Sequence, residues 1–218
     1  MDSSIISSLI EAIGTIVAAG VGAFIAGDYI SKVFKRDIAP KFQKYADKRH
    51  DASSIMNKAE ESIYIIVSIG DQLLKKHEDD FKSYLKSGVR LKFIIHKEEK
   101  YYELEEFINS DVRTKRGFYS QIRRETIDKL RKLKQGHKGL VEIREFDSIL
   151  TVSYIGVDIE GDGDKWRRSA MIQLMPYQYK VQTRNNPIIR VTPKENLVHF
   201  ETAKKCIIDI WKKGMPLR

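Results

Sequence analysis

The N-terminal part of the chain contains the stretch that most restricts what the chain can form, because the sixteen residues 12–27 carry no charged side chain. With its low-polarity neighbours, the run covers residues 5–30. An α-helix rises about 1.5 Å per residue, so a run of about 20 to 25 residues crosses the roughly 30 Å hydrocarbon core of a bilayer. The stretch therefore predicts one transmembrane helix, assigned to residues 1–30. A buried helix of a soluble protein, an interfacial helix and a cleaved signal peptide are the alternative interpretations.

Small residues recur at every fourth position of this stretch, at Gly14, Ala18, Gly22 and Ala26. In lipid, a helix face without bulky side chains lets two backbones approach closely and serves as an association surface. The chain has one such stretch, so the predicted partner is a second copy of the chain.

The residues after the predicted span are basic. Seven lysines and arginines lie within residues 31–49 against two aspartates, and no lysine or arginine precedes the span. Positive charge collects on the cytoplasmic side of a membrane, so we expect a single-pass protein of the bacterial inner membrane with a cytoplasmic C-terminal part. Residues 31–60 are predicted to form a helical neck between the span and a domain.

Residues 61–218 predict one cytoplasmic α/β domain with a mixed sheet. An apolar, β-branched run at 62–70 indicates a strand, leucines and aromatics at helical spacing follow at 71–87, and a second strand is expected at 89–96 after Gly88. This order is typical of a βαβ unit, in which the two strands are parallel.

The remaining pattern alternates helices and short strands. Helices are predicted at 101–108, 118–134 and 196–213, and strands at 140–146, 148–159, 168–176, 177–183 and 188–191. The acidic residues 158–164 resemble half of a calcium loop, but Ser169 stands where such a loop needs glutamate, so we interpret them as a hairpin turn. The buried side of the last helix is predicted to consist of Phe200, Cys206, Ile207, Ile210 and Trp211.

Positive charge is concentrated a second time at residues 113–138, where ten lysines and arginines face only Glu125 and Asp128. Such a cluster attracts phosphate groups, on lipid headgroups or on nucleotides and nucleic acids. A merely solvated helix face is the alternative. The predicted anion-binding residues are Arg123, Arg124, Arg131, Lys132 and Lys134.

Residues 58–96 resemble the opening of a phospholipase D-like domain. The likeness consists of a strand, a helix and then the pattern L-x-x-G-V-x-L-x-x-I, which runs from Leu85 to Ile94. The family signature is histidine, any residue and lysine, then aspartate after four intervening residues, and no histidine of this chain has lysine two positions on. Because the family's histidine is the nucleophile, the resemblance implies a degenerate domain that binds a ligand or partner.

These features predict a self-associating, single-pass membrane protein whose cytoplasmic domain senses a ligand or partner and acts through the span. The architecture resembles bacterial membrane effectors of antiviral defence. A membrane-tethered phosphodiesterase or nuclease with an atypical site, and an anchor or scaffold for a partner protein, are the alternatives. No catalytic residue, metal site or cofactor is predicted. The expected partners are membrane lipid, a second copy of the chain, a nucleotide or nucleic-acid ligand, and a partner protein.

Overall fold

The structure is a computed structural model, and it describes residues 43–44, 52–98, 118–161, 163–176 and 187–217. The predicted span, its association residues, most of the predicted neck, the predicted helix at 101–108 and the predicted strand at 177–183 lie outside these ranges. Within the described ranges, no helix combines the length and the hydropathy needed to cross a bilayer.

Helices and strands alternate along the described chain. In order they are β1 (Gln43–Lys44), α1 (Ser53–Met56), β2 (Ser62–Ile66), α2 (Asp71–Lys76), α3 (Glu78–Lys86), β3 (Arg90–His96), α4 (Phe118–Gly136), β4 (Val141–Phe146), β5 (Val152–Val157), α5 (Gly163–Ser169), β6 (Met171–Pro176), β7 (Pro187–Val191), α6 (Leu197–Lys213) and β8 (Met215–Pro216).

The strands form one mixed sheet in the order β1, β7, β6, β5, β2, β3, β4, β8. Strands β2, β3 and β4 are parallel, and the other pairings are antiparallel. The connection from β2 to β3 runs through α2 and α3, so the predicted βαβ unit with parallel strands is confirmed, as is the mixed α/β sheet.

Strand β2 lies inside the sheet, and all five of its residues are buried. Its side chains alternate between two hydrophobic clusters, one on each face of the sheet. Ile63 and Ile65 pack with side chains of α2, α3 and α4, whereas Tyr64 and Ile66 pack with side chains of α6. Because each fully buried apolar side chain contributes about 1.5–3 kcal/mol, burial on both faces fixes β2 as the centre of the fold.

The single helix predicted at 71–87 is two helices, because the helical backbone is interrupted at His77. Its dihedral angles are φ −122° and ψ 25°, and its ring Nδ1 hydrogen-bonds the carboxylate of Asp80 at 2.9 Å. The apolar spacing continues through this break, so the sequence pattern could not show it. Gly88, with φ 83°, follows the second helix as predicted.

The acidic turn at 158–164 was predicted to lead directly into a strand from residue 168, and this prediction is wrong. Helix α5 occupies Gly163–Ser169, and strand β6 begins at Met171. The cause is a tertiary contact, since the ring of Trp166 packs edge-on against Phe200 with 5.4 Å between the ring centroids.

The closing helix predicted at 196–213 is confirmed as α6, but only part of its predicted buried side is buried. Phe200, Ile207 and Trp211 are buried, whereas Cys206 is exposed and Ile210 is half-buried. At 100° per residue, the stripe through 200, 207 and 211 turns Cys206 away from the sheet. The prediction that Cys206 belongs to the core is wrong.

Candidate functional site

Helix α4 is the basic helix, and its apolar face covers one side of the sheet. Ile127, Leu130 and Leu133 of α4 are buried. Two open grooves run along the helix, one on each side. The structure divides four of the five predicted anion-binding residues between these grooves and places the fifth, Lys134, in neither.

Arg123 is buried, although it was predicted to bind an anion. It precedes Ile127 by four residues and therefore shares the buried face of α4. Its Nε donates a hydrogen bond to the backbone oxygen of His96 at 3.1 Å, and its guanidinium pairs with Glu145 and, at 3.7 Å, with Glu98. Arg123 thus braces α4 against the carboxyl ends of β3 and β4.

The first groove, called the arginine groove, has a volume of about 400 Å³. Its charged lining residues are Arg123, Arg124, Arg131, Asp128 and Glu145. Each arginine faces a carboxylate, because Arg124 lies 3.8 Å from Glu98 and Arg131 lies 3.9 Å from Asp128. The positive charge of this groove is therefore largely balanced within the protein.

The second groove, called the lysine groove, lies between α3 and α4 and has a volume of about 420 Å³. Its charged lining residues are Lys82, Lys86, Lys129, Lys132 and Glu78, with His137 at the end of α4. Lys132 is the predicted anion-binding residue found here. Lys134 is exposed on α4 and lines neither groove.

His96 ends β3 and is fully buried. Its Nε2 accepts a hydrogen bond from the backbone N–H of Leu150 at 2.8 Å, and burial lowers the pKa of the imidazole to about 4. The ring is therefore neutral at pH 7, and the nitrogen that a nucleophile would use is engaged by the backbone.

Asp158 follows β5 and fixes the start of β2. Its carboxylate accepts hydrogen bonds at 2.9 Å from the backbone N–H groups of Glu60, Glu61 and Ser62. Asp158 has a positive φ of 50°, which a short polar side chain tolerates better than most. The sequence placed Asp158 in an acidic turn and gave no signal of this role, because the three donors lie almost 100 residues earlier.

Glu160 lies at the exposed end of a partly buried polar cluster between the sheet and α6. The ammonium group of Lys92 donates hydrogen bonds to the Tyr64 hydroxyl at 2.7 Å and to the Glu160 carboxylate at 2.9 Å, and it lies 5.6 Å from the ring centroid of Trp211. Burial, followed by Glu160, raises the pKa of Tyr64. Although burial opposes it, hydrogen bonds from Lys92 and Tyr64 lower the pKa of Glu160. The carboxylates of Asp158 and Glu160 are therefore engaged by groups of the protein itself, namely backbone N–H groups and the ammonium group of Lys92.

Comparison with known proteins gives structural likeness without sequence likeness. No protein-family model and no curated protein matches the chain. Phosphatidylserine synthase from Haemophilus influenzae Rd KW20 matches at a TM-score of 0.51 and 12% identity, over 82% of this chain and 39% of the synthase. The archaeal chromatin protein TrmBL2 matches at a TM-score of 0.48 and 11% identity, over 98% of this chain and 70% of that protein.

This chain spans well under half of the synthase. At 12% identity the likeness concerns the fold alone.

Proposed function

We propose that this chain is a membrane-anchored, non-catalytic member of the phospholipase D-like folds. In this proposal its cytoplasmic domain binds a ligand or partner and acts through a self-associating N-terminal span. The mixed α/β sheet is that of the structure, and the phospholipase D-like assignment rests on the sequence resemblance and is supported by the likeness to the synthase. The span rests on the uncharged stretch of the sequence.

The observation that carries the non-catalytic part concerns the positions of the family signature. None of the five histidines of the chain has a lysine two positions later, so the histidine-x-lysine part of the signature is absent from the sequence. Without that histidine, the family's covalent phosphodiester mechanism lacks its nucleophile.

Two of the four histidines in the described ranges, His77 and His96, are poorly placed to replace that nucleophile. His96 is buried and hydrogen-bonded to the backbone, and His77 is buried beside Asp80. A non-catalytic role therefore agrees better with these surroundings than the alternative of an enzyme with an atypical site.

We extend the proposal to a biological role by analogy of architecture. One membrane span joined to a ligand-binding domain is the plan of membrane-disrupting effectors of bacterial antiviral defence. A fold does not determine a function, so this step has its own test. Expression of the full-length chain in bacterial cells infected with phage should make the cells permeable to a membrane-impermeant dye. Cells that stay impermeable across a panel of phages would refute the effector role.

The proposed function is tested on the full-length chain expressed in bacteria. We expect the protein in the membrane fraction after an alkaline wash, and no hydrolysis of bis(p-nitrophenyl) phosphate by the purified protein. An active phospholipase D-type enzyme serves as the positive control of the assay. Recovery in the soluble fraction without detergent would refute the membrane anchor. Hydrolysis that is abolished by replacing one histidine would refute the non-catalytic role.

A further inference from the structure

The lysine groove is formed by one face of α3 and the C-terminal half of α4. On α3, Glu78, Lys82 and Lys86 recur at every fourth residue and so lie along one face of the helix. On α4, Lys129 and Lys132 face the same groove. Four lysines from two helices thus converge on a depression that contains a single glutamate.

The charges of the lysine groove are only partly compensated. Lys82 is paired, because its ammonium group lies 2.8 Å from Glu78 and 3.6 Å from Asp79. Within the described part of the chain, no carboxylate lies within ion-pair distance of Lys86, Lys129 or Lys132. The pKa of Glu78 is lowered by the hydrogen bond from Lys82 first and by the charge of Lys82 next, and Lys129 and Lys132 lower it further.

Stabilisation of the helix ends does not account for all these lysines. Lys86 lies in the last turn of α3, where a cation interacts favourably with the helix dipole. Lys129 and Lys132 precede the last turn of α4, whose basic residue is Lys134. The arginine groove shows the contrasting case, since each of its arginines faces a carboxylate.

The interior of the lysine groove is apolar. Leu74 and Leu133 are buried side chains that line it, so its floor belongs to the rigid core cluster. A volume of about 420 Å³ falls in the range of small-molecule sites, which are about 300–1,000 Å³. A ligand that fits has anionic groups for the lysines and an apolar body for the leucines.

We propose that the lysine groove binds a small phosphorylated molecule, with its phosphate groups against Lys86, Lys129 and Lys132 and its apolar part on Leu74 and Leu133. The assignment rests on the proposed function, because it supplies the ligand class of the binding domain. Phosphate oxygens accept hydrogen bonds from ammonium groups, and such charge-assisted bonds are stronger than neutral ones. A free nucleotide and a phosphorylated lipid headgroup share this chemistry.

The test uses the full-length chain in a nonionic detergent and two soluble probes, ATP and inorganic triphosphate. The variant Lys129→Gln/Lys132→Gln removes two charges but keeps good helix formers. Its matched control, Lys194→Gln/Lys205→Gln, makes the same chemical change at exposed lysines away from the groove. We expect the groove variant to raise the calorimetric Kd by about tenfold or more, and the control by less than about twofold, with binding weakened as salt rises from about 50 to about 300 mM.

In a parallel arm the protein is reconstituted in vesicles of phosphatidylcholine, with or without phosphatidylglycerol. The measured quantity is the amount of ATP that sediments with the vesicles, and less bound ATP in the presence of phosphatidylglycerol means that the lipid competes for the site. If phosphatidylglycerol displaces ATP from the native protein but not from the Lys129→Gln/Lys132→Gln variant, the phosphate group that binds in the groove is that of a lipid headgroup. Tight ATP binding unaffected by these lipids would identify a soluble ligand. Either result supports the phosphate site.

The proposal is overturned if neither probe binds, or if the groove variant and the control lose affinity equally. This failure is distinct from failure of the proposed function, which is judged by membrane fractionation and phosphodiester hydrolysis. A folded, membrane-bound and hydrolytically inactive protein that ignores both probes would refute the lysine groove alone. Thermal unfolding of each variant separates lost binding from lost folding.

Discussion

Asp158 joins two distant parts of the described chain through one side chain, because its carboxylate accepts hydrogen bonds from three backbone N–H groups at the entrance to β2. Replacing it with Asn keeps the shape and tolerates the positive φ, but it removes the charge and one acceptor oxygen. Hydrogen bonds to charged groups are worth about 1.5–3 kcal/mol, so we expect Asp158→Asn to lower the free energy of unfolding by about 2–3 kcal/mol. Urea denaturation of the full-length protein in detergent measures the loss. The control Asp209→Asn, at an exposed residue of α6, should change it by less than about 0.5 kcal/mol.

His96 makes stability depend on pH. Burial lowers its folded-state pKa to about 4 from the ordinary 6.5, so as the pH falls the unfolded chain takes up the proton first. Stability that is present above pH 6.5 is therefore lost between about pH 6.5 and 4, and by pH 4.5 the loss reaches about 2 kcal/mol. Unfolding curves at pH 7.0 and 4.5 should show a steeper decline for the native protein than for His96→Asn. The same slope in both proteins would contradict this assignment, and His199→Asn, at an exposed site, should decline like the native protein.

At the scale of elements, the attachment of α4 to the sheet depends on Arg123. Removing its guanidinium leaves the carboxylate of Glu145 and the carbonyl of His96 without their common donor. Breaking a buried pair costs about 3–5 kcal/mol, and because Glu145 is partly exposed we expect about 2–3 kcal/mol for Arg123→Ala. The neighbouring Arg124→Ala is the matched control, because its side chain is 72% exposed and its ion pair at 3.8 Å contributes little. Equal losses measured by urea denaturation would contradict the bracing role.

The elements could be predicted where a local pattern decides them. The apolar run of β2 and the alternating, then apolar, residues of β3, with Gly88 between helix and strand, indicate the βαβ unit without tertiary information. Helix α5 could not be predicted, because the contact of Trp166 with Phe200 joins distant parts of the chain. The sequence predicted that α4 is basic, but it did not predict that the basic side chains are divided between two grooves. Spacing alone does not tell which cations meet a carboxylate, so Arg123 was predicted as a ligand residue although it lies in the core.

At the scale of the whole molecule, the self-association of the span is a prediction from sequence alone, since these residues lie outside the described ranges. A leucine at Gly22 would separate two backbones that must come close at a small-residue face. We expect Gly22→Leu to reduce the crosslinked oligomer in membranes by about fivefold or more, which is about 1 kcal/mol. Val21→Leu is the control, because it lies beside the small-residue row and adds one methylene. An unchanged oligomer in Gly22→Leu would remove the basis for any pore formed by the span.

The central place of β2 has a mechanical consequence. After the short edge strand β1 and helix α1, the chain enters β2, which is hydrogen-bonded to β3 on one side and to β5 on the other. Tension applied along that chain would load both ladders lengthwise, so that many hydrogen bonds share the force and must break together. An edge strand pulled from its end would instead unzip one bond at a time. Force arriving at Ser62 would therefore be distributed through the middle of the sheet, whereas β1, a two-residue strand at the end of the sheet beside β7, would separate first.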